Sequence, residues 1–381
     1  MTSLDITPFT IAIPDAEIDD LNNRLARTRW PDTIPGSDWT YGIDLGRTHE
    51  LAAYWRDGFD WRAQEASLNT FPQFTATIDD QTVHFVHVRS PEPNALPLIL
   101  THGWPSTFAD FTDMIGPLTD PRRHGGDPAD AFHVVIPSIP GFGFSGPTKA
   151  PGWDSARIAR AWDTLMRGLG YPRYAAHGGD AGSSITRQMG IAQPEGLLGI
   201  HVLEIWSAYP TGAPGELDDL TEIEKQRLTF IAEFDHASGH QGIHQTRPLT
   251  LAYGLTDSPA GQLAWISDPL MGLGRFAPPE PRDRDVVLTD VSIYWFTRTA
   301  GSSARWYFED AHASASNPDL PNPTPTGVAL FPYNFQSIRA IAERSNNIVH
   351  WSSFDRGGHF AALEVPDLLV GDLRQFFRSF R

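Results

Sequence analysis

The chain has 381 residues, 40% of them apolar and 20% charged, which is ordinary for a soluble globular protein and long enough for one large domain with additions. Its net charge of −17 argues against nucleic acid as a partner, and with no cysteine it holds no disulfide, thiol nucleophile or thiolate-bound metal. No apolar run approaches the ~18–20 residues that cross a bilayer, and the N-terminus lacks a basic-then-apolar leader, so a cytoplasmic protein without a membrane partner is expected.

In chain order, residues 1–90 read as an N-terminal extension packing on the core and the cap. Pro14 and Asp15 open a helix with Ile18, Leu21 and Leu25 at helical spacing, and Pro31 ends it. Residues 48–69 are a second helical stretch. Strand-like runs come next at 81–90, 96–103, 132–141, 174–179 and 197–204, with a helix from Asp154 or Ser155 to Gly170 among them. Residues 210–326 break the rhythm with Pro, Gly and Ser around helical patches, and read as an inserted helical cap. Strands return at 327–334 and 347–359, and an amphipathic helix closes the chain at 365–380. Strands alternating with helices predict an α/β fold, a mostly parallel sheet covered on both faces, with the core split into 91–209 and 327–381.

Two patterns carry no chemistry. "GFGFSG" at 141–146 matches a dinucleotide fingerprint, but Pro147 and Pro151 open no helix behind it, so it reads as a turn. His236, His240 and His244 have the spacing of helical metal ligands, but Gly239 and Gly242 argue for a loop lining a cavity. No metal and no cofactor are expected.

"HGGDAGSS" at 177–184 does carry chemistry. Its G-x-D-x-G stands between a strand and a helix, where hydrolases place the serine of G-x-S-x-G. A bare helix cap is the alternative use of Asp180. "HGWP" at 102–105 follows a strand, so the backbone N–H of Trp104 joins that of Ala181 as an oxyanion hole. His359 in "RGGHF" lies between the last strand and the last helix, where a base belongs. A carboxylate is already anionic at neutral pH and needs no base to attack. At an acyl carbon it would give a reactive anhydride; at an sp³ carbon it gives a stable alkyl ester. His359 then activates water against that ester. The expected substrate is a small molecule with an electrophilic carbon, an epoxide or a halide.

"RLARTRWPD", "DWRAQEASLN", "HGWPSTFADF", "PSIPGFGFSG", "HGGDAGSSI" and "RGGHFAALEVP" resemble the epoxide hydrolases of the α/β-hydrolase fold, in the microsomal-type branch with an N-terminal extension. The branch's membrane anchor is expected to be absent here, as in a soluble bacterial-like form. The resemblance implies Asp180 as nucleophile, His359 as base and two cap tyrosines on the epoxide oxygen. One maps to Tyr307; at the other, His240 stands in the "GHQGIHQTRP" stretch and can still donate a hydrogen bond. The branch's acid position, after "FP", holds Asn334. Glu204 ends a neighbouring strand in "GIHVLE", similar to the acid of some haloalkane dehalogenases, and is expected within ~3.2 Å of a His359 ring nitrogen or linked to it by one water, with Asn334 near but uncharged. Asn334→Asp is expected to be tolerated. Dehalogenation and ligand binding without hydrolysis stay open beside epoxide opening, and a homodimer stays open as the assembly.

Overall fold

The structure is a computed structural model, and it describes residues 4–273, 282–313 and 320–381. Residues 1–3 of the expected extension, and 274–281 and 314–319 of the expected cap, lie outside the described residues.

Among the described residues one sheet of nine strands runs in the order β1-β2-β3-β5-β4-β6-β7-β8-β9. The strands are β1 (Ile6–Phe9), β2 (Gln73–Ile78), β3 (Gln81–Val88), β4 (Leu96–Thr101), β5 (Phe132–Pro137), β6 (Tyr174–Gly178), β7 (Leu197–Val202), β8 (Asn322–Leu330) and β9 (Asn346–Ser353). The first three pair antiparallel at one edge, and the run from β5 to β9 is parallel. β4, β5 and β6 are almost continuously apolar because helices cover both their faces.

Several boundaries differ from the sequence reading. The first helix ends at Leu25, before Pro31. The stretch 48–69 is two helices, Leu45–Asp57 and Trp61–Leu68, because Gly58 ends one and the Asp60 carboxylate caps the other. The extension also supplies β1 and β2 to the sheet. β8 begins at Asn322, inside the stretch read as cap. Pro323 and Pro325 disguise it, and its register with β9 is irregular there. β9 stops at Ser353, leaving His359 on a loop. Residues 239–246 form a helix, Gly239–Thr246, after a break at Ser238, so His240 and His244 are helical despite the glycines.

The cap consists of helices Glu222–Ala237, Gly239–Thr246, Pro248–Asp257, Pro259–Leu270, Arg284–Thr297 and Ala300–His312. It lies over the carboxyl ends of the parallel strands, where open α/β sheets gather functional groups.

Candidate active site

β6 runs into a tight elbow. Asp180 has φ 53° and ψ −125°, a conformation L side chains rarely hold, and then caps the helix Ala181–Ala192. The elbow closes because Gly178 and Gly182 carry no side chain: a Cβ on Gly182 would stand 2.1 Å from the Thr101 carbonyl, and one on Gly178 2.1 Å from that of Gly182. The strain aims Asp180 out of the sheet edge.

Asp180 Oδ1 accepts from the backbone N–H of Trp104 at 2.7 Å, and the Ala181 N–H also reaches the carboxylate. The two expected oxyanion donors therefore lie on Asp180 itself. Oδ2 faces His359 Nε2 at 3.1 Å. Burial disfavours the Asp180 charge, but His359 and the two backbone N–H groups outweigh it and hold the carboxyl below its usual range. His359 is half-buried, and its desolvation opposes its charge. The Asp180 hydrogen bond and charge, with Glu204 and Glu364 behind them, nevertheless raise its pKa.

Glu204 is near His359, but not as expected. Glu204 Oε1 lies 3.5 Å from His359 Nδ1, beyond the expected 3.2 Å. The Nδ1–H donates instead to Asn334 Oδ1 at 2.6 Å. Asn334 Nδ2 in turn donates to Glu204 Oε1 at 2.7 Å. The N–H of Phe335 also donates to Asn334 Oδ1, which fixes which end of the amide is oxygen. The amide thus orients the ring, and the Glu204 carboxylate stands one residue behind it. Glu204 Oε2 accepts from the Asp180 N–H at 2.9 Å and the Ser183 hydroxyl at 2.7 Å, so the carboxylate also braces the elbow. Burial pushes the Glu204 pKa up, against His359, Ser183 and Asn334.

Across the cavity, the His240 ring stacks on Trp104 with centroids 5.1 Å apart, and burial lowers its pKa to about 4, so it is neutral. The cavity between core and cap is lined by Trp104, Asp180, Phe234, His240 and His359, among others. Tyr307 packs behind them, 6.0 Å from the Trp104 ring and 6.2 Å from that of His240. Its hydroxyl makes no hydrogen bond among the described residues. Burial first, and the Asp180 charge second, push its pKa well above that of a free phenol.

Two neighbours, Trp206 and Ser183, carry no pattern in the sequence, and a third, His244, expected on a cavity-lining loop, lies on a helix. Trp206 donates from Nε1 to the Asp180 carbonyl at 3.1 Å. Ser183 holds Glu204. His244 is fully buried, accepts from Trp265 Nε1 at 2.9 Å and packs 4.9 Å from the Tyr307 ring. Trp206 and Ser183 sit two and three residues from recognised positions, which was the available signal.

The family model described as "Epoxide hydrolase N terminus" matches residues 6–111, and that for the "alpha/beta hydrolase fold" matches 97–235. A Stigmatella aurantiaca protein named "Putative epoxide hydrolase" is 43% identical, over 99% of this chain and 86% of its own. "Epoxide hydrolase 1" of Sus scrofa is 32% identical over 97% of this chain and 88% of its own. The solved structure of Aspergillus niger epoxide hydrolase superposes with a TM-score of 0.88 at 30% identity, covering 99% of this chain and 97% of that one. No helix among the described residues is long and apolar enough to cross a membrane.

Proposed function

The chain belongs to the epoxide hydrolases of the α/β-hydrolase fold and is an epoxide-opening hydrolase; from that premise we propose that it works in two covalent steps through an ester on Asp180. The observation that carries the proposal is the split environment of the Asp180 carboxylate, with Oδ1 under the Trp104 N–H and Oδ2 against His359.

Oδ2 attacks an epoxide carbon, the C–O bond breaks, and the released alkoxide takes its proton from the Tyr307 hydroxyl while neutral His240 donates a hydrogen bond. Tyr307 suits that role because burial keeps its proton on. Oδ1 stays in the oxyanion hole as the carbonyl oxygen of the ester.

Alkylation removes the Asp180 negative charge. That charge is a main support of the raised His359 pKa, so forming the ester frees Nε2 as a base at the moment a base is needed. His359 then takes a proton from water, the hydroxide attacks Cγ, and Oδ1 bears the developing charge beneath the two backbone N–H groups. Collapse expels the diol and restores the carboxylate, and the proton held by His359 returns to the Tyr307 phenolate, so the cycle closes with one water added to the epoxide. Asn334 holds the ring, and Glu204 supplies the negative charge behind it.

The test is His359→Gln mixed briefly with an aryl epoxide. Hydrolysis should stall, and the mass of one epoxide should appear on the peptide that holds Asp180. An adduct on another residue, or none with an epoxide the parent enzyme consumes, overturns the scheme.

A further inference from the structure

Below the cavity, a buried charged network that the two-step scheme does not use joins the base of the cap to the histidine loop. Arg282, just before the cap helix Arg284–Thr297, pairs through Nη2 with Glu364 Oε1, and their side chains are only 10% and 8% exposed. The same Oε1 accepts the N–H of Phe360, the residue after His359, at 3.3 Å. The Arg282 guanidinium lies over the Phe360 ring, 4.5 Å from its centroid. On its other side Arg282 feels Asp110 and Asp290. Asp290 accepts the Thr107 hydroxyl at 2.6 Å, just beyond the oxyanion loop. Arg282 Nη1 and Glu364 Oε2 are buried with no hydrogen-bond partner, so a pair this costly to bury is not fully satisfied by packing alone.

We propose that Glu364 and Arg282 are positioning residues for the base: Glu364 fixes the backbone beside His359 and leans its negative charge on the imidazole, and Arg282 sets how much of that charge is felt. The proposal rests on His359 acting as the base. Among the described residues, the charged and titratable groups around that ring are Asp180, Glu204, Glu364 and His240. Asp180 loses its charge in the ester, so in the second step the remaining carboxylates decide the basicity of Nε2.

The two partners should act with opposite signs. A carboxylate near imidazole stabilises its protonated form, and removing it lowers the pH at which the base comes free. Removing the cation that neutralises that carboxylate does the reverse. The measurement is the pH dependence of single-turnover ester hydrolysis, which rises as His359 loses its proton. Glu364→Gln retains an acceptor for the Phe360 N–H, and should move the midpoint of that rise to lower pH. Its plateau should fall by roughly two- to fivefold, because a weaker base removes the proton more slowly. Arg282→Lys should keep the parent midpoint, and Arg282→Gln should move it to higher pH. Arg282→Gln strands a buried carboxylate and can fail to fold. The double variant Arg282→Gln/Glu364→Gln removes both charges, so its midpoint should lie above that of Glu364→Gln, back toward the parent value. If folded Glu364→Gln keeps the parent midpoint, or the double variant falls no higher than Glu364→Gln, the pair is structural and the inference is overturned. That outcome is separate from failure of the underlying scheme, which shows as absence of the trapped Asp180 adduct in His359→Gln.

Discussion

In the proposed scheme Asn334 and Glu204 divide one task between two side chains. A single acid beside an imidazole both orients the ring and stabilises its cation. Here the amide oxygen orients it at 2.6 Å, and the charge stands at 3.5 Å. Glu204→Gln should therefore slow ester hydrolysis roughly tenfold to a hundredfold while slowing ester formation less, since only the second step makes imidazolium. Rapid-quench measurement of the two steps checks this, and equal slowing of both would contradict it. The structure also changes the expectation for Asn334→Asp. Asn334 Nδ2 donates to Glu204 at 2.7 Å, so the substitution sets one buried carboxylate against another. Asn334→Asp alone should be impaired near neutral pH. Combined with Glu204→Gln it should recover, because the glutamine amide can donate where the asparagine did.

The central parallel strands β4 to β7 were legible as elements because each is a largely apolar run ending at a Gly, Pro or polar turn, and the residues proposed to carry the chemistry follow strand ends. Asp180, His359 and Glu204 could be found for that reason. β1 and β2 could not. β1 has four residues and includes Pro8, and β2 follows Pro72 with only half its side chains deeply buried. Asn334 was read as a missing acid, since an amide's service to a histidine depends on a contact no spacing reveals. The closing helix hides a further cross-element tie. Asp372 accepts from His201 Nε2 on β7 at 2.8 Å and from His350 Nε2 on β9 at 2.9 Å, with the Ser352 hydroxyl beside them. Burial opposes its charge, but these donors win and hold its pKa well below the usual carboxylate range. A depressed folded pKa gives stability that is full above the unfolded value of about 4 and is lost as pH falls toward the folded one. Asp372→Asn should cost about 2 kcal/mol near neutral pH, as a charge-assisted bond becomes a neutral one. In denaturant melts the gap between variant and parent should close as pH drops below about 4. A gap independent of pH would mean that shape, not charge, makes the contact.

Extension, sheet and cap share a hydrophobic core at the scale of the whole chain. Leu21, Leu51 and Trp55 of the extension, Ile99 and Val135 of the sheet, and Leu263 and Leu288 of the cap belong to one buried cluster. Polar ties cross the same boundaries. Trp55 Nε1 donates to the Ser292 hydroxyl at 2.8 Å and Tyr54 to Asp285 at 2.7 Å, joining extension to cap. The Tyr294 hydroxyl donates to the Ser106 carbonyl at 3.0 Å, joining cap to oxyanion loop. The extension supplies β1 and β2, so without it β3 would present an unpaired edge. An independently melting cap or extension would have to tear this cluster open, which loses apolar burial on both sides. Calorimetry should therefore show one transition, with calorimetric and van't Hoff enthalpies equal. Trp55→Phe gives the sharper check. It keeps most of the ring's burial but leaves the Ser292 hydroxyl buried without its partner, at about 1–2 kcal/mol. In one cooperative unit of this size that moves the whole transition down by about 2–4 °C per kcal/mol, or somewhat less. The peak should stay single and shift intact, with loss of activity on heating following the same curve. A Trp55→Phe scan that splits in two, with activity tracking only one part, would show that extension and cap fold as separate bodies around an independent sheet.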